Sequence, residues 1–266
     1  MLDLRGKTVW ITGASAGLGE ALAHRLAQRG ARLLLSARRE SRLHAVADAS
    51  RASGASDVQV LPLDLADLSS LAHKAEQALA CMGRIDVMVH NAGLGQRALV
   101  TESSFEVDRK LMEVNFLGPI ALTKTLLPSM IAQQSGSFVV ISSVLGLMSV
   151  KRRAAYCASK HALHGYFNAL RAEVKGQGLH VLLVCPGHID SEFSQMALEA
   201  DGRPHGINDA GKRAGLSPDA CAERTVRALV RGEAEIYPAK WETLGLYLNR
   251  LSPALTRLAI AGRKAR

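Results

Sequence analysis

Short apolar runs at residues 7–12, 32–37, 58–63, 85–90, 137–142, 179–185 and 234–237 alternate along the chain with longer stretches that read as helices. The first run, KTVWIT, is β-branched and aromatic, and the segment after its glycine-rich turn sets Leu18, Ala21, Leu22 and Leu26 at helical spacing. The runs lack the apolar–polar alternation of a half-exposed strand, as expected of parallel strands covered on both faces. Strand and helix in turn, joined by right-handed crossovers, predict an α/β doubly wound sheet. No Pro/Gly/Ser linker and no internal repeat divides the chain, so residues 1–266 are read as one domain.

Composition acts mainly by exclusion. The formal charge is +9, but basic residues are scattered, aromatics are 4% and no nucleic-acid motif is present, so nucleic acid is not an expected partner. The excess suits an anionic cofactor. Lys151-Arg152-Arg153 is the one tight basic run, open to two readings: steering of acidic substrates, or a solvated loop. Cys81, Cys157, Cys185 and Cys221 form no CxxC pair and read as reduced thiols, partly buried. The nine histidines hold no H-E-x-x-H cluster, so no metal is expected, and His161 and His164 read as packing or surface residues. With Asp3, Arg5 and Lys7 among the first residues and no apolar stretch there, no signal peptide is expected. The longest uncharged run, 125–150, is broken by Pro128 and by QQSGS at 133–137, so it reads as helix end, turn and strand rather than a membrane span. A cytoplasmic location is the expectation.

The chemistry sits in two places. The turn TGASAGLG spans residues 12–19 between a strand and a helix. Gly13 permits a tight turn, Gly17 lets backbone approach a pyrophosphate, Gly19 lets the helix approach the strand, and the helix N-terminus offers N–H groups to an anion. Further on, Tyr156 stands thirteen positions after Ser143 and four before Lys160, which puts Tyr156 and Lys160 on one helix face. Reducing a ketone requires a proton donor, and a phenol with pKa about 10 holds its proton too tightly. An ammonium close by favours the phenolate, a cationic nicotinamide adds to that, and Ser143 would hold the substrate oxygen.

The spacing G-x-x-x-G-x-G, then Asn91-Ala92-Gly93, Asn115, Ser143, Tyr156-x-x-x-Lys160 and Pro186-Gly187, resembles the short-chain dehydrogenase/reductase family in order and intervals, over roughly residues 5–235. The resemblance implies a single-domain Rossmann fold with a seven-stranded parallel sheet in the order 3-2-1-4-5-6-7 and the cofactor at the switch between strands one and four. It assigns Ser15 and Leu18 to the cofactor together with Gly13, Gly17 and Gly19. Asn91, Ala92 and Gly93 resemble the segment closing the fourth strand beside the cofactor. Asn115 resembles the helix residue that holds a water relaying protons from the lysine, and Lys160 would also bind the nicotinamide ribose. Asp64 resembles the acidic residue near adenine. In PGHIDS at 186–191, Pro186 and Gly187 shape the turn, the Ile189 backbone would meet the carboxamide, and Ser191 replaces a frequent threonine.

Cofactor choice follows from the end of the second strand. Ala37, not an acidic residue, stands where an NAD enzyme would hold the ribose 2′-hydroxyl, and Arg38 and Arg39 follow. NADP(H) is therefore expected over NAD(H), with Arg38 on the 2′-phosphate and Arg39 assisting or stacking on adenine; both as solvated residues, paired with Glu40, is the competing reading. The expected activity interconverts a secondary alcohol and a ketone or aldehyde. A carrier-linked 3-oxoacyl reductase and a non-catalytic NADP-binding sensor or scaffold are the rivals. The resemblance also implies a homodimer or homotetramer through helices near 107–131 and 154–176.

Two regions are particular to this chain. Residues 192–216 occupy the place of a substrate lid, with Phe193, Met196 and Leu198 as an apolar inner wall under a polar tip at 201–205. In the tail, 240–266, Leu244, Leu248, Leu251, Leu255 and Leu258 recur at helical spacing, and Arg250, Arg257 and Lys264 recur every seven, giving a basic amphipathic helix interrupted near Pro253. Such a helix can lie on an anionic membrane, cover a partner subunit or pack on its own domain. Tail and SAR strand end are similar to the 11β-hydroxysteroid dehydrogenase-like branch, which often takes lipophilic carbonyls.

Overall fold

Alternate residues of each strand feed opposite layers of apolar packing, which explains the missing polar alternation. In strand β1 (Thr8–Thr12), Val9 and Ile11 join one buried cluster while Trp10 joins another. The same division holds in β2 (Arg32–Ser36), where Leu33 and Leu35 oppose Leu34, and in β5 (Gly136–Ile141), where Val139 and Ile141 oppose Phe138 and Val140. With β3 (Asp57–Val60), β4 (Val87–His90), β6 (Leu179–Val184) and β7 (Glu235–Ile236) they form one parallel sheet in the order β3-β2-β1-β4-β5-β6-β7. This is the predicted Rossmann arrangement. The computed structural model describes residues 1–207, 215–240 and 242–262.

One face of the sheet carries α1 (Gly17–Ala27), α2 (Glu40–Ala52) and α7 (Pro218–Arg231), through Leu22 and Leu26, Leu43 and Val46, and Val226 and Leu229. The other carries α3 (Leu71–Met82), α5 (Gly118–Ala132) and α6 (Ala154–Glu173), through Leu71 and Met82, Leu122 and Met130, and Leu163 and Phe167. Trp10, Phe138 and Phe167 are fully buried in this second layer. Removing a ring of this kind costs about 3–5 kcal/mol, so the layer is a main source of stability.

Strand and helix ends shift by up to three residues elsewhere, as at α6, which ends at Glu173 and not at 176, but the departures with a physical reason are these. The third strand ends at Val60, because Pro62 has no N–H to give; the chain nevertheless stays extended, with Leu61 and Leu63 N–H on the Leu35 and Ala37 carbonyls at 3.0 and 3.1 Å. The helix expected at 107–131 starts as α4 (Phe105–Met112), widens into a π-turn at Glu113–Leu117 and continues as α5. Pro128 lies inside α5 rather than ending it, and the helix runs on to Ala132. The stretch Phe105–Ala132 is long and apolar enough to cross a membrane by length and composition. Here Leu122, Leu126 and Met130 are spent on the core. The tail divides at Pro253 into α8 (Glu242–Leu251) and α9 (Pro253–Gly262).

Candidate active site

Backbone builds the floor of the cleft at the C-terminal ends of β1 and β4. Gly13 takes φ +67°, and a Cβ there would stand 2.8 Å from Ala92 Cα; at Gly19 a Cβ would meet the Gly13 carbonyl oxygen at 2.1 Å. Glycine is therefore required at both, for the turn and for close helix approach. Asn91 ties the two strand ends together, its amide donating to the Thr12 and Gly13 carbonyls at 2.9 and 3.2 Å. No side chain caps α1 at Ala16. Its first-turn N–H groups, beside Gly17 with φ +58°, form a cradle that fits a pyrophosphate.

Arg38 and Arg39 are exposed and line the same cleft. Glu40 pairs with His44 at 3.7 Å, and Arg39 donates to Ser15 Oγ at 3.4 Å. Asp64 lines the cleft too, with Oδ1 accepting from the Ala66 N–H at 3.0 Å. The uncapped helix start and the arginine pair on one wall fit a nicotinamide dinucleotide.

Ser143, Tyr156 and Lys160 meet at the centre. Ser143 Oγ accepts from the Leu145 N–H at 3.1 Å, donates to the Pro186 carbonyl at 3.4 Å and hydrogen-bonds the Tyr156 phenol. Lys160 is buried, donates to the Ile141 carbonyl at 2.8 Å, and burial pushes its ammonium down to about 8. Burial pushes the Tyr156 phenol up, against the lowering by the Ser143 hydrogen bond and the Arg153 charge. The expected net lowering by lysine is therefore not produced by this chain's own groups. Lys160 Nζ lies over the tyrosine ring, 5.9 Å from its centroid, and desolvation outweighs the favourable contacts.

Asn115 sits in the π-turn, buried, with Oδ1 accepting from the Leu94 N–H at 2.7 Å and Nδ2 donating to the Leu94 carbonyl at 2.9 Å and to Ser159 Oγ at 3.0 Å. Its side chain thus holds the loop after β4 instead of bonding Lys160. Gly93 keeps the space between them open: a Cβ there would lie 3.2 Å from Asn115 Oδ1 and 3.6 Å from Lys160 Nζ.

The turn after β6 closes the far side. The Pro186 carbonyl accepts from the Val144 N–H at 3.0 Å, and Ile189 pairs with Leu216. Gly187 is needed because a Cβ would meet Ala239 and the Glu242 carboxyl at 2.8 Å. Glu242, not singled out from the sequence, accepts from the His188 and Lys240 N–H groups at 2.9 and 3.1 Å. Ser191 Oγ accepts from Phe193 N–H at 3.4 Å, and its Cβ lies 3.5 Å from where a Gly17 Cβ would stand.

The roof departs from expectation at Leu198. Phe193 and Met196 line the cleft, the Phe193 ring 6.2 Å from that of Tyr156, but Leu198 does not. Its backbone is pinned to the Gly95 carbonyl at 2.9 Å and the Arg97 N–H at 2.8 Å, which buries the side chain among Leu94, Val107 and Leu111. Lid residues 208–214 lie outside the described residues. In the basic run Lys151 and Arg153 line the cleft, and all three side chains are tied to backbone: Lys151 donates to the Ala261 carbonyl at 2.7 Å, Arg152 to the Arg97 carbonyl at 3.3 Å and Arg153 to the Gln96 carbonyl at 3.1 Å. In the tail, α8 buries Leu246 while the leucine stripe stays exposed, Leu251 by 86% and Leu258 by 70%; Leu244 and Leu248 reach the cleft mouth. Arg250 lies over Tyr237 at 5.6 Å, and Lys264 lies outside the described residues.

Behind Lys160, the Cys185 thiol lies 3.5 Å from His164 Nε2 and donates to Glu235 at 3.6 Å, with burial pushing the thiol up. Cys157, Cys185 and Cys221 are buried and Cys81 is exposed. The sequence offered no signal for this grouping, because the three residues stand on α6, at the end of β6 and on β7.

A doubly wound sheet with a glycine-turn cradle and a serine, tyrosine and lysine in one cleft is the frame of a nicotinamide-nucleotide-dependent oxidoreductase. Residues 7–202 match the profile described as short chain dehydrogenase, and the chain belongs to the short-chain dehydrogenase/reductase family, whose members act on CH–OH groups. It is 41% identical over 95% of its length to the dehydrogenase/reductase SDR family protein 7-like of Drosophila melanogaster, covering 79% of that protein. It is 38% identical over 98% of its length to the bovine dehydrogenase/reductase SDR family member 7B, covering 82%. Among solved structures, a Burkholderia phymatum short-chain dehydrogenase/reductase in complex with NAD superposes with TM-score 0.87 at 25% identity over 96% of both chains. A metagenomic short-chain oxidoreductase in complex with NADP superposes with TM-score 0.75 at 29% identity, over 90% of this chain and 98% of that one.

Proposed function

We propose that this enzyme uses NADP(H) to interconvert a secondary alcohol and a ketone or aldehyde on a medium-sized lipophilic substrate. The observation that carries this reading is one continuous cleft of about 1340 Å³ that runs from the arginine pair past Tyr156 to an apolar wall of Leu145, Met148, Phe193, Met196 and Leu244. Arg38, at the end of β2 with no acidic neighbour at Ala37, supports the 2′-phosphate as the discriminating group.

The nicotinamide, when bound, supplies or accepts the hydride. In reduction, Ser143 holds the substrate oxygen, Tyr156 gives that oxygen its proton, and the Lys160 ammonium stabilises the phenolate left behind. Asn115 keeps the loop after β4 in place and leaves room beside Lys160 for a water that returns the proton. Gly13, Ser15, Gly17, Leu18 and Gly19 would hold the pyrophosphate, Asp64 and Arg39 would flank the adenine, and Ile189 and Ser191 would border the nicotinamide.

Fluorescence titration with NADPH and NADH, followed by a screen of free ketones against a carrier-linked β-ketoacyl substrate, tests the reading. Tight NADPH binding with turnover of lipophilic ketones is the expected result. Turnover of the carrier-linked substrate alone overturns the substrate class, and binding without turnover makes the chain a sensor. A homo-oligomer through α4–α5 and α6 is part of the same proposal, supported by exposed Phe105, Leu117 and Ile131 on that stretch and checked by light scattering.

A further inference from the structure

We propose that Gln96 is a positioning residue for Tyr156, fastening the first turn of the catalytic helix to α4 and to the start of the roof; the inference rests on the catalytic reading of Tyr156 above.

The first residues of a helix have no intrahelical carbonyl for their N–H groups and need another acceptor. Tyr156 is the third residue of α6, and the N-cap, Arg153, gives no side-chain cap. Gln96 supplies the acceptor from a loop sixty residues earlier: its Oε1 accepts from the N–H of Ala155 at 2.9 Å and of Tyr156 at 3.3 Å. It is 1% exposed. The other end of the same amide is fixed as well, Nε2 donating to Asp108 Oδ1 at 2.9 Å and Ser103 Oγ at 3.2 Å. Ser103 Oγ in turn donates to Asp108 at 3.0 Å, so the amide cannot rotate without breaking a buried network. The Gln96 carbonyl accepts from Arg153, whose charge bears on the phenol.

The backbone of Gln96 pairs with Leu198, flanked by the bonds from Leu198 to Gly95 and Arg97. Leu198 stands five residues after Phe193, whose ring faces Tyr156. One residue therefore fixes the acid from below, through the helix turn that carries it, and anchors the roof segment above it. Proton transfer depends on sub-ångström placement of the donor, so loosening this turn is read in turnover rather than in cofactor binding.

The test compares Gln96→Met, which keeps the volume and loses the acceptor, with Gln96→Glu/Asp108→Asn, which reverses the donor and acceptor between the two side chains and keeps both bonds. With NADPH and a lipophilic ketone that the unaltered enzyme reduces, Gln96→Met should lower kcat about tenfold or more, leaving KM and the NADPH Kd within about twofold. The double variant should recover kcat to within about threefold of the original. A folded Gln96→Met with unchanged kcat, a loss shared equally by kcat and NADPH affinity, or no recovery in the double variant overturns the proposal. Amide hydrogen exchange at Ala155 and Tyr156, which needs no substrate, should speed up about tenfold in Gln96→Met and return in the double variant. If the enzyme reduces no ketone, the catalytic reading has failed, whereas unchanged exchange refutes the positioning role by itself. Should Gln96→Met not fold, Asp108→Ala, which frees only the far end of the amide, must still lower kcat several-fold with NADPH affinity retained.

Discussion

The floor of the cleft and its roof are made of different material. In the floor, Gly13, Gly19 and Asn91 fix backbone against backbone, and one added methyl at Gly19 would meet a carbonyl oxygen at 2.1 Å. The roof, formed by residues 192–207 with α8 and α9, is joined to the rest at separate points: the Leu198 backbone to residues 95 and 97, Asn249 to the Leu147 carbonyl at 3.0 Å, and Lys151 to Ala261. A hydride and a proton must be delivered to fixed points, which a rigid floor secures. Substrates vary in shape, and roof side chains that face the cleft can be altered while the backbone anchor at Gln96 and Leu198 stays in place. Altering the floor should therefore change rate and cofactor choice, whereas altering the roof should change partners and substrate.

The largest effect belongs at the centre of the floor. Tyr156→Phe should reduce kcat by about 10²–10⁴-fold, the range of a lost general acid, while NADPH affinity stays within a factor of about three. Steady-state kinetics and a fluorescence titration decide it, and a variant retaining a tenth of its turnover removes Tyr156 from the role of acid. Next comes cofactor choice. Arg38→Asp should weaken NADPH by about 10–100-fold and leave NADH nearly unchanged, since a charge-assisted bond to phosphate is worth about 1.5–3 kcal/mol. Equal losses for the two cofactors would mean that Arg38 does not touch the phosphate.

Floor and roof also differ in how far they were legible. The strand runs, the glycine turn and the Ser143, Tyr156 and Lys160 set were readable because each depends on local backbone rules or fixed spacing. Leu198 looked like an inner wall by its apolarity, and only the pairing with residues 95–97 shows it buried elsewhere. Gln96 carried no signal at all: its partners lie at 103, 108, 155 and 156, and nothing in a glutamine announces a helix cap at such distance. The tyrosine environment was misjudged for a related reason. Charge neighbours are visible in a sequence, but the burial that raises the phenol is a property of the packed whole.

Lys160 shows a floor built for chemistry at a cost in stability. Its folded ammonium gives up its proton at about 8, against 10.5 ordinarily, so between these values the unfolded chain binds more protons than the folded one. Stability therefore rises with pH across that window, and the cost of burying the charge is present in full below pH 8. Lys160→Met, of similar length and uncharged, should raise stability near pH 7 by about 1–3 kcal/mol while turnover is lost. Urea melts without nucleotide, at pH 7 and above pH 10, provide the check. A gain of equal size at both pH values would show that packing, not charge, is responsible.

The smallest effect tests the roof. Leu244, Leu251, Leu255 and Leu258 are exposed by 55–86%, an unusual outlay of leucine on a surface that also carries Arg250 and Arg257. Apolar side chains beside cations favour an anionic bilayer surface, where leucine enters the acyl boundary and arginine stays with the headgroups. Because these leucines bury little in the protein itself, replacing Leu251 and Leu258 with serine should leave the fold, the NADPH Kd and kcat on a water-soluble ketone unchanged. Sedimentation with phosphatidylserine-containing vesicles should weaken about three- to tenfold, with little binding to neutral vesicles in either case. If vesicle binding is the same with and without the leucines, the stripe serves another contact. A fall in light-scattering mass in the same variant would then assign that contact to a second copy of the chain, making the roof part of the assembly instead of a membrane surface.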